Sequence, residues 1–402
     1  MNNGPLFGLK VIELAQIMAG PTCGMMLADM GADVIKVEKL PGGDDARNYK
    51  EESAGEISHS FAMLNRNKRS IALNVKKPEG RDALLRMIKD ADVVIENYRL
   101  GTMEKLGIGY ETLAKINPGL IYCSISGYGR TGPKAKEGGF DLIAQGFAGL
   151  MSVTGEKGGR PIKGGNSVAD INAGILASVG ILAAYVHRLK TGKGQLVETS
   201  LFEAGLQQMY WFAAMYFATG ESAGASGSAH PLIAPYQAFE TADRWITLGG
   251  ANQRNWVKIA EVLGHPEWAQ EPRFLTGPLR KKNEEALVAL IAPVLLTESA
   301  DHWMCLLEAA GVPVGPVNTI AEALNHPHTL AREMVVETEH PTAGRMKSLG
   351  LPIKFSRTPG GVKRPATLLG EHSREVMHEY GFSNAEIEQM LACGALFAIE
   401  SA

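Results

Sequence analysis

Between Leu9 and Gly129 the chain alternates short apolar strand patterns with helical stretches, and this alternation restricts its fold more than any other feature. LKVIEL (Leu9–Leu14) predicts a strand, and Ala19–Asp29 a helix opened by Gly20-Pro21. DVIKVE (Asp33–Glu38) is the next strand. SIALNV (Ser70–Val75), a helix over Pro78–Asp90, VVIEN (Val93–Asn97), a helix near Tyr110–Ile116 and LIYCSISGYG (Leu120–Gly129) continue the series. Strands separated by helices of this length imply a parallel sheet with right-handed crossovers. Such a doubly wound sheet binds ligands beyond the carboxyl ends of its strands, where the strand order reverses.

With 402 residues, the chain exceeds the length at which a single core usually stops growing. The expected class is α/β, with a doubly wound parallel-sheet large domain over 1–219. GESAGASGS (Gly220–Ser228) reads as a small-residue linker. Beyond it PYQAFE and RWITLGG predict strands, followed by helices near Asn255–Leu263, Asn283–Leu296 and Asp301–Ala310. This predicts a smaller α+β domain over 220–325, followed by a C-terminal segment over 326–402.

Lys and Arg number 40 against 43 Asp and Glu, a net charge of -3, so a long nucleic-acid footprint is not expected. Cys23, Cys123, Cys305 and Cys393 show no paired spacing and no metal-spaced histidines. No metal site or disulfide framework is expected, and a reducing compartment is. MNNGPLFGLKVIEL lacks a basic region followed by a long apolar run. The apolar run Ile171–Val186 is short of a membrane span. The expectation is a cytoplasmic protein with no membrane and no nucleic-acid partner.

Several familiar chemistries fit poorly. The turn AQIMAGP (Ala15–Pro21) has no GxGxxG, and GYGRTG (Gly127–Gly132) is followed by Pro133 and glycines instead of a helix. TGKG (Thr191–Gly194) lacks the rest of a P-loop. GESAG (Gly220–Gly224) spells GxSxG around Ser222 but lies in the linker, and Ser126 has no base that the sequence locates. His187 lies roughly five turns along the helix that follows Asp170.

Asp170 sits where a polar Gly/Lys-rich loop meets an apolar helix, and two readings of it stand side by side. An aspartate there caps free backbone N–H groups, a contribution of about 1 kcal/mol. A carboxylate in apolar surroundings also serves as a nucleophile. Asp141 in GFDLIAQG is a rival carboxylate and another candidate N-cap. Lys39, Lys68, Arg69, Lys76 and Lys105 fall at the ends or edges of predicted elements, where a solvated surface is the usual explanation. Lys39, Lys76 and Asn97 nevertheless lie at or just past the carboxyl ends of three strands. There, cations grip phosphates, while Ile17, Met18 and Leu73 suit a less polar portion of the same ligand.

Several segments together resemble the family III CoA-transferases, a family that also contains α-methylacyl-CoA racemases. They include AGPTCGMMLADMGADVIKVE, GGDDAR, NRNKRSIALNVKKPEGR, DVVIENYRLGTMEKLGIGY, SGYGRTGP, GFDLIAQGFAGLMSVTG, SVADINAG and HPLIAPYQAF. Their order and spacing look nearest to the branch acting on dicarboxylic acids such as succinate with glutarate or mesaconate. The resemblance implies that Asp170, the Asp of the VAD motif, is the catalytic carboxylate. It implies CoA-binding positions at Ile17, Met18, Lys39, Leu73, Lys76, Asn97, Tyr98, Lys105 and Leu106, with Lys136 a looser match. It also implies an interlocked homodimer whose C-terminal segment returns to the large domain. No resident cofactor or metal is implied; the coenzyme A thioester is a substrate, with a small carboxylic acid as its partner.

The racemase branch carries GHD where this chain has GFD, and Phe140 cannot transfer a proton, which favours transfer over racemisation. Racemisation, or CoA binding without catalysis, are the alternatives. Lys39 and Met18 replace an Arg and a Gln of some relatives; lysine keeps charge but loses the bidentate fork. Arg47 and Arg66 are candidates for a distal carboxylate, though a structural role is the more ordinary reading of each. LGGANQRN (Leu248–Asn255) is the candidate glycine-rich loop over the active site.

Overall fold

The computed structural model describes residues 4–49 and 57–399, which form two compact units. Among the described residues, twelve strands run in chain order: β1 (Lys10–Glu13), β2 (Asp33–Glu38), β3 (Arg69–Leu73), β4 (Val93–Glu96), β5 (Ile121–Ser126), β6 (Leu196–Ser200), β7 (Tyr236–Glu240), β8 (Trp245–Gly249), β9 (Val314–Pro316), β10 (Val335–His340), β11 (Gly344–Leu349) and β12 (Leu396–Phe397). Seven of them build the sheet of the large unit, in the order β12-β3-β2-β1-β4-β5-β6. Pairing is parallel from β3 to β6, and only β12 runs antiparallel, against β3. The order reverses between β1 and β4, which makes the carboxyl ends of those two strands the switch point.

Alternate strand residues feed two cores, as a period-2 backbone with both faces covered requires. Val11, Val34, Val93 and Cys123 point to one face, where they meet the helices Ala19–Asp29 and Val168–Thr191. Ile12, Ile35, Val94 and Tyr122 point to the other, against the helices Pro78–Ile88, Ser373–Glu379 and Asn384–Ala392. β6 follows QLVETS, and β12 brings the C-terminal segment onto the sheet edge; neither was expected as a strand. The hairpin β10–β11, also unforeseen, forms its own two-stranded sheet.

The helix Val168–Thr191 is 24 residues long. By length and composition it can cross a membrane, unlike the apolar run Ile171–Val186 on which the expectation rested. Its buried stripe is small: Ala169, Ala173, Gly174, Ala177, Ser178, Ile181 and Ala184. Gly174 allows the closest approach, since a Cβ there would lie 2.6 Å from the Ala19 carbonyl oxygen.

The small unit comprises Met151–Lys163 and Met209–His326, so it begins earlier than the expected boundary at Gly220 and also takes in a loop expected in the large domain. The reason lies in that loop's partners. The Gly155 carbonyl accepts from the Gly227 N–H at 2.8 Å, and Lys157 pairs with Glu285 at 2.7 Å. Its antiparallel sheet β7-β8-β9 packs on Trp256, Phe274, Leu287, Ile291 and Leu307. The buried Arg280 donates to the carbonyls of Ala234 and Phe274, each at 3.0 Å.

Candidate active site

A cleft of about 200 Å³ opens at the switch point of the large unit. It is lined by the turn after β1 (Gln16–Ala19), Asn97 after β4, Ser126 and Gly127 after β5, and Asp45, Gly139, Phe140, Asp170 and Leu201. Asn97 spans the reversal: its Oδ1 accepts from Gln16 N at 2.9 Å and its Nδ2 donates to Gln16 O at 2.8 Å. The next residue, Ile17, has φ 68, a left-handed conformation that costs a β-branched residue about 1–3 kcal/mol. Asp44 holds it there, accepting from Ile17 N at 3.0 Å.

Asp44 belongs to a buried charge network beneath this turn. Lys36 pairs with both Asp44 and Glu13 at 2.9 Å, and Lys68 pairs with Glu13 at 2.8 Å. Burial disfavours the Lys36 charge, but Glu13 and Asp44 outweigh it and raise the pKa; Lys68, penalised first by burial, falls to about 8. Lys68 and Arg69 are therefore interior groups, contrary to the solvated reading, because carboxylates lie within reach inside the fold.

Asp170 is the third residue of its helix, not the residue before it. Ser167 holds the cap position, and the capping carboxylate is Asp141, whose Oδ1 accepts from Ala169 N at 2.9 Å and from Asp170 N at 3.4 Å. Asp141 is itself the first residue of the helix Asp141–Phe147. The cap role read for Asp170 thus falls to Asp141. Asp141 satisfies the free N–H groups, and the Asp170 side chain is left facing the cleft. Burial, then the neighbouring charge of Asp141, pushes the Asp170 pKa from 3.8 up to about 7. Near neutrality this half-buried carboxylate divides between a charged and a protonated form. Gly127 and Gly139 close the cleft wall in direct backbone contact; a Cβ on Gly127 would lie 2.7 Å from Gly139 N.

Ile17, Met18, Asn97 and Asp170 therefore meet in one cleft. Lys39 reaches its edge only through Asp45, which it pairs with at 2.6 Å. Lys76, Lys105 and Lys136 are exposed and lie outside the cleft lining. The Leu73 side chain is buried in the core, and Tyr98 and Leu106 pack against that core, so the expectation that Leu73 offers an apolar surface to a ligand is corrected. The strand pattern placed Leu73 near the ligand edge, but the pleat turns its side chain inward.

Both arginines offered for a distal carboxylate are committed elsewhere. Arg47 forms a bidentate pair with Glu38, both bonds at 2.7 Å. Arg66 binds Asp29 at 2.7 Å and is itself buried. Leu248, Gly249 and Ala251 of the candidate glycine loop line a pocket of about 510 Å³ in the small unit. Ser126 faces the cleft, but its hydroxyl accepts from Gly129 N at 2.9 Å and no histidine lines the cleft. His187 and Ser222 are exposed.

Sequence reasoning missed the Asp141–Gln145 pair and the Glu13–Lys36–Asp44–Lys68 network. The first carries a readable signal, since Asp and Gln four apart share one helix face. The second joins residues from four separate segments and has none.

Comparison with known proteins finds relatives over nearly the whole chain. The succinyl-CoA:glutarate CoA-transferase of Mus musculus is 35% identical over 393 residues, covering 98% of this chain and 90% of that protein. The succinyl-CoA:mesaconate CoA-transferase of Haloarcula marismortui is 41% identical over 393 residues, covering 94% and 97%. A crystal structure of a CAIB/BAIF family protein from Brucella suis superposes with a TM-score of 0.83 at 40% identity, covering 94% of this chain and 100% of that one. Residues 6–373 match the model of CoA-transferase family III, and the chain belongs to that family.

Proposed function

We propose that this protein moves CoA from an acyl-CoA donor, succinyl-CoA or a close analogue, to a small dicarboxylic acid, with Asp170 as the nucleophile. The observation that carries the reading is the Asp170 carboxylate, half-buried in the switch-point cleft with its pKa raised to about 7. The names of the mouse and Haloarcula relatives support the substrate class.

An Asp170 oxygen attacks the donor thioester carbonyl, the C–S bond breaks, and CoA thiolate leaves an aspartyl-acyl anhydride. The thiolate attacks the aspartyl carbonyl and expels the donor acid, leaving an aspartyl-CoA thioester. The acceptor carboxylate attacks that thioester, releasing thiolate and forming a second anhydride. Thiolate then takes the new acyl group and frees Asp170. Partial desolvation favours the first step by stripping water from the attacking oxygen. Each tetrahedral oxyanion needs preorganised N–H donors, and the candidates are the backbone groups of Gly127 and Gly139, which line the same cleft. Phe140, 70% exposed, supplies no second proton-transfer group, which disfavours racemisation. CoA binding draws on Ile17, Met18 and Asn97 in the cleft, with Lys39, Lys76, Lys105 and Lys136 as cations for its phosphates.

The protein acts as an interlocked homodimer in the cytoplasm. Supporting the dimer, the helix Tyr210–Thr219 buries none of its residues, leaving Tyr210, Trp211 and Phe217 at 68%, 61% and 84% exposed. An aromatic helix face left this exposed calls for a partner surface.

Asp170→Ala tests the central claim. It should abolish CoA exchange between succinyl-CoA and a panel of acids while leaving the oligomeric mass unchanged by light scattering. Hydroxylamine added with acyl-CoA should give an Asp170 hydroxamate by mass spectrometry. Substantial exchange by the alanine variant would reject Asp170 as nucleophile.

A further inference from the structure

Gln145 lies on the helix Asp141–Phe147 and is fully buried, an expensive place for an amide unless its hydrogen bonds are met. Its Nε2 donates to Asp141 Oδ2 at 2.6 Å and to the Asn166 carbonyl at 3.2 Å, and its Oε1 accepts from Gly164 N at 2.9 Å. The amide therefore uses donors and acceptor together. On one side it ties the loop that enters the Val168–Thr191 helix. On the other it fixes the carboxylate whose second oxygen receives the Ala169 and Asp170 N–H groups.

We propose that Gln145 is a positioning residue for Asp170: its amide locks Asp141 and the 164–166 loop together, and thereby fixes the first helical turn that presents the nucleophile. The proposal rests on Asp170 being that nucleophile. Gln145 itself is absent from the cleft lining and acts only through Asp141 and the loop. A hydrocarbon side chain of equal size would fill the volume and hold neither partner. Asparagine would carry the right group one methylene short of both.

The test uses the full chain, succinyl-CoA and whichever acceptor acid the parent protein uses fastest. Active sites are counted by hydroxylamine trapping, so that rates refer to folded, competent protein. Gln145→Met should lower kcat per trapped site about 10- to 100-fold, the size expected when a nucleophile moves by about 1 Å. The KM for acyl-CoA should stay within about twofold, because no CoA-contacting group changes. Two further variants create mismatches: Asp141→Asn sets amide N–H against amide N–H, and Gln145→Glu sets carboxylate against carboxylate. In the double variant the new amide at 141 donates to the new carboxylate at 145, which still accepts from Gly164 N but loses the bond to the Asn166 carbonyl, so the rescue is partial. That variant should recover at least about tenfold in kcat over Gln145→Glu, a rescue that generic destabilisation cannot produce.

A Gln145→Met enzyme within about twofold of the parent in kcat per trapped site would overturn the proposal, as would a double variant no faster than the slower single. A loss confined to the number of trappable sites or to Tm would also overturn it. Asp170→Ala run in parallel separates the two claims. An active alanine variant removes the nucleophile reading and this one with it, whereas an inactive one beside a fully active Gln145→Met removes only the role of Gln145.

Discussion

Asp170→Asn should make the large unit more stable, and increasingly so as pH rises. The folded-state pKa of about 7 stands above the ordinary aspartate value of 3.8, so at about pH 5–6 the native state holds a proton that the unfolded chain has released. A carboxyl with a raised folded pKa stabilises fully below the unfolded value and loses that contribution as pH climbs through the folded value. At about pH 8 the folded protein carries an unfavourably placed charge that asparagine lacks. At 1.36 kcal/mol per pKa unit, the ceiling is about 4 kcal/mol, and partial solvent access brings the working figure to about 2 kcal/mol. About a third of that should remain at pH 5, where the native carboxyl is already protonated but the unfolded one, with the pH about 1.2 units above its ordinary pKa, is still mostly ionised. Paired thermal melts of parent and variant should show a Tm rise on the order of 4 °C at pH 8 and a much smaller one at pH 5. An equal rise at both pH values, or a fall at pH 8, would show that the carboxylate is not held in the desolvated setting from which its nucleophilicity is argued.

Other substitutions probe the surroundings. Asp141→Asn removes the neighbouring charge, so the acid limb of kcat/KM should move to lower pH, by less than about 1.6 pH units because burial is the larger cause; its kcat should also fall. An unmoved limb would mean that Asp141 does not act on Asp170 electrostatically. Arg47→Ala leaves the buried Glu38 without its bidentate cation, though Asp44 N and the Ser70 hydroxyl still donate to it, and should cost about 2–3 kcal/mol in urea unfolding without a selective rise in KM for any dicarboxylic acid. A selective KM effect in an otherwise stable variant would return Arg47 to the substrate. Lys76→Ala and Lys105→Ala, both at exposed positions, should each raise the acyl-CoA KM about tenfold with kcat unchanged, if each contributes one charge-assisted phosphate bond. Unchanged KM values would remove those lysines from the CoA site.

Much of the large unit was legible in the sequence, because its determinants are local. Runs such as DVIKVE and VVIE, within an alternating series of strand and helix patterns, specify buried parallel strands almost to the residue. The reversal of strand order is a different matter, set by which strands pair across long stretches of chain; the bonds from Asn97 to Gln16 mark it only once β1 and β4 lie side by side. β12 escaped notice because two residues carry no periodicity, and it exists only as an edge addition to β3. The small unit's boundary was misplaced for a similar reason: Met151–Lys163 reads as a loop and is assigned by partners far along the chain.

The site divides in the same way. The strand pattern put Lys39, Lys76 and Asn97 at strand ends with Ile17 and Met18 beside them, and the resemblance, through the VAD motif and the Phe140 of GFD, implied Asp170 as the carboxylate of a transferase. Sequence position left Asp170 suspended between cap and nucleophile, because a one-dimensional pattern records which residue adjoins a helix and not whose oxygen reaches its N–H groups. Tertiary structure assigned the cap to Asp141, twenty-nine residues away, by bringing it onto the first turn, and left Asp170 facing the cleft. It also withdrew Leu73 into the core and bound Arg47 and Arg66 to buried carboxylates. The physical reason is common to all of these: chemical identity is local, whereas burial, charge neighbours and hydrogen-bond partners are properties of the folded chain.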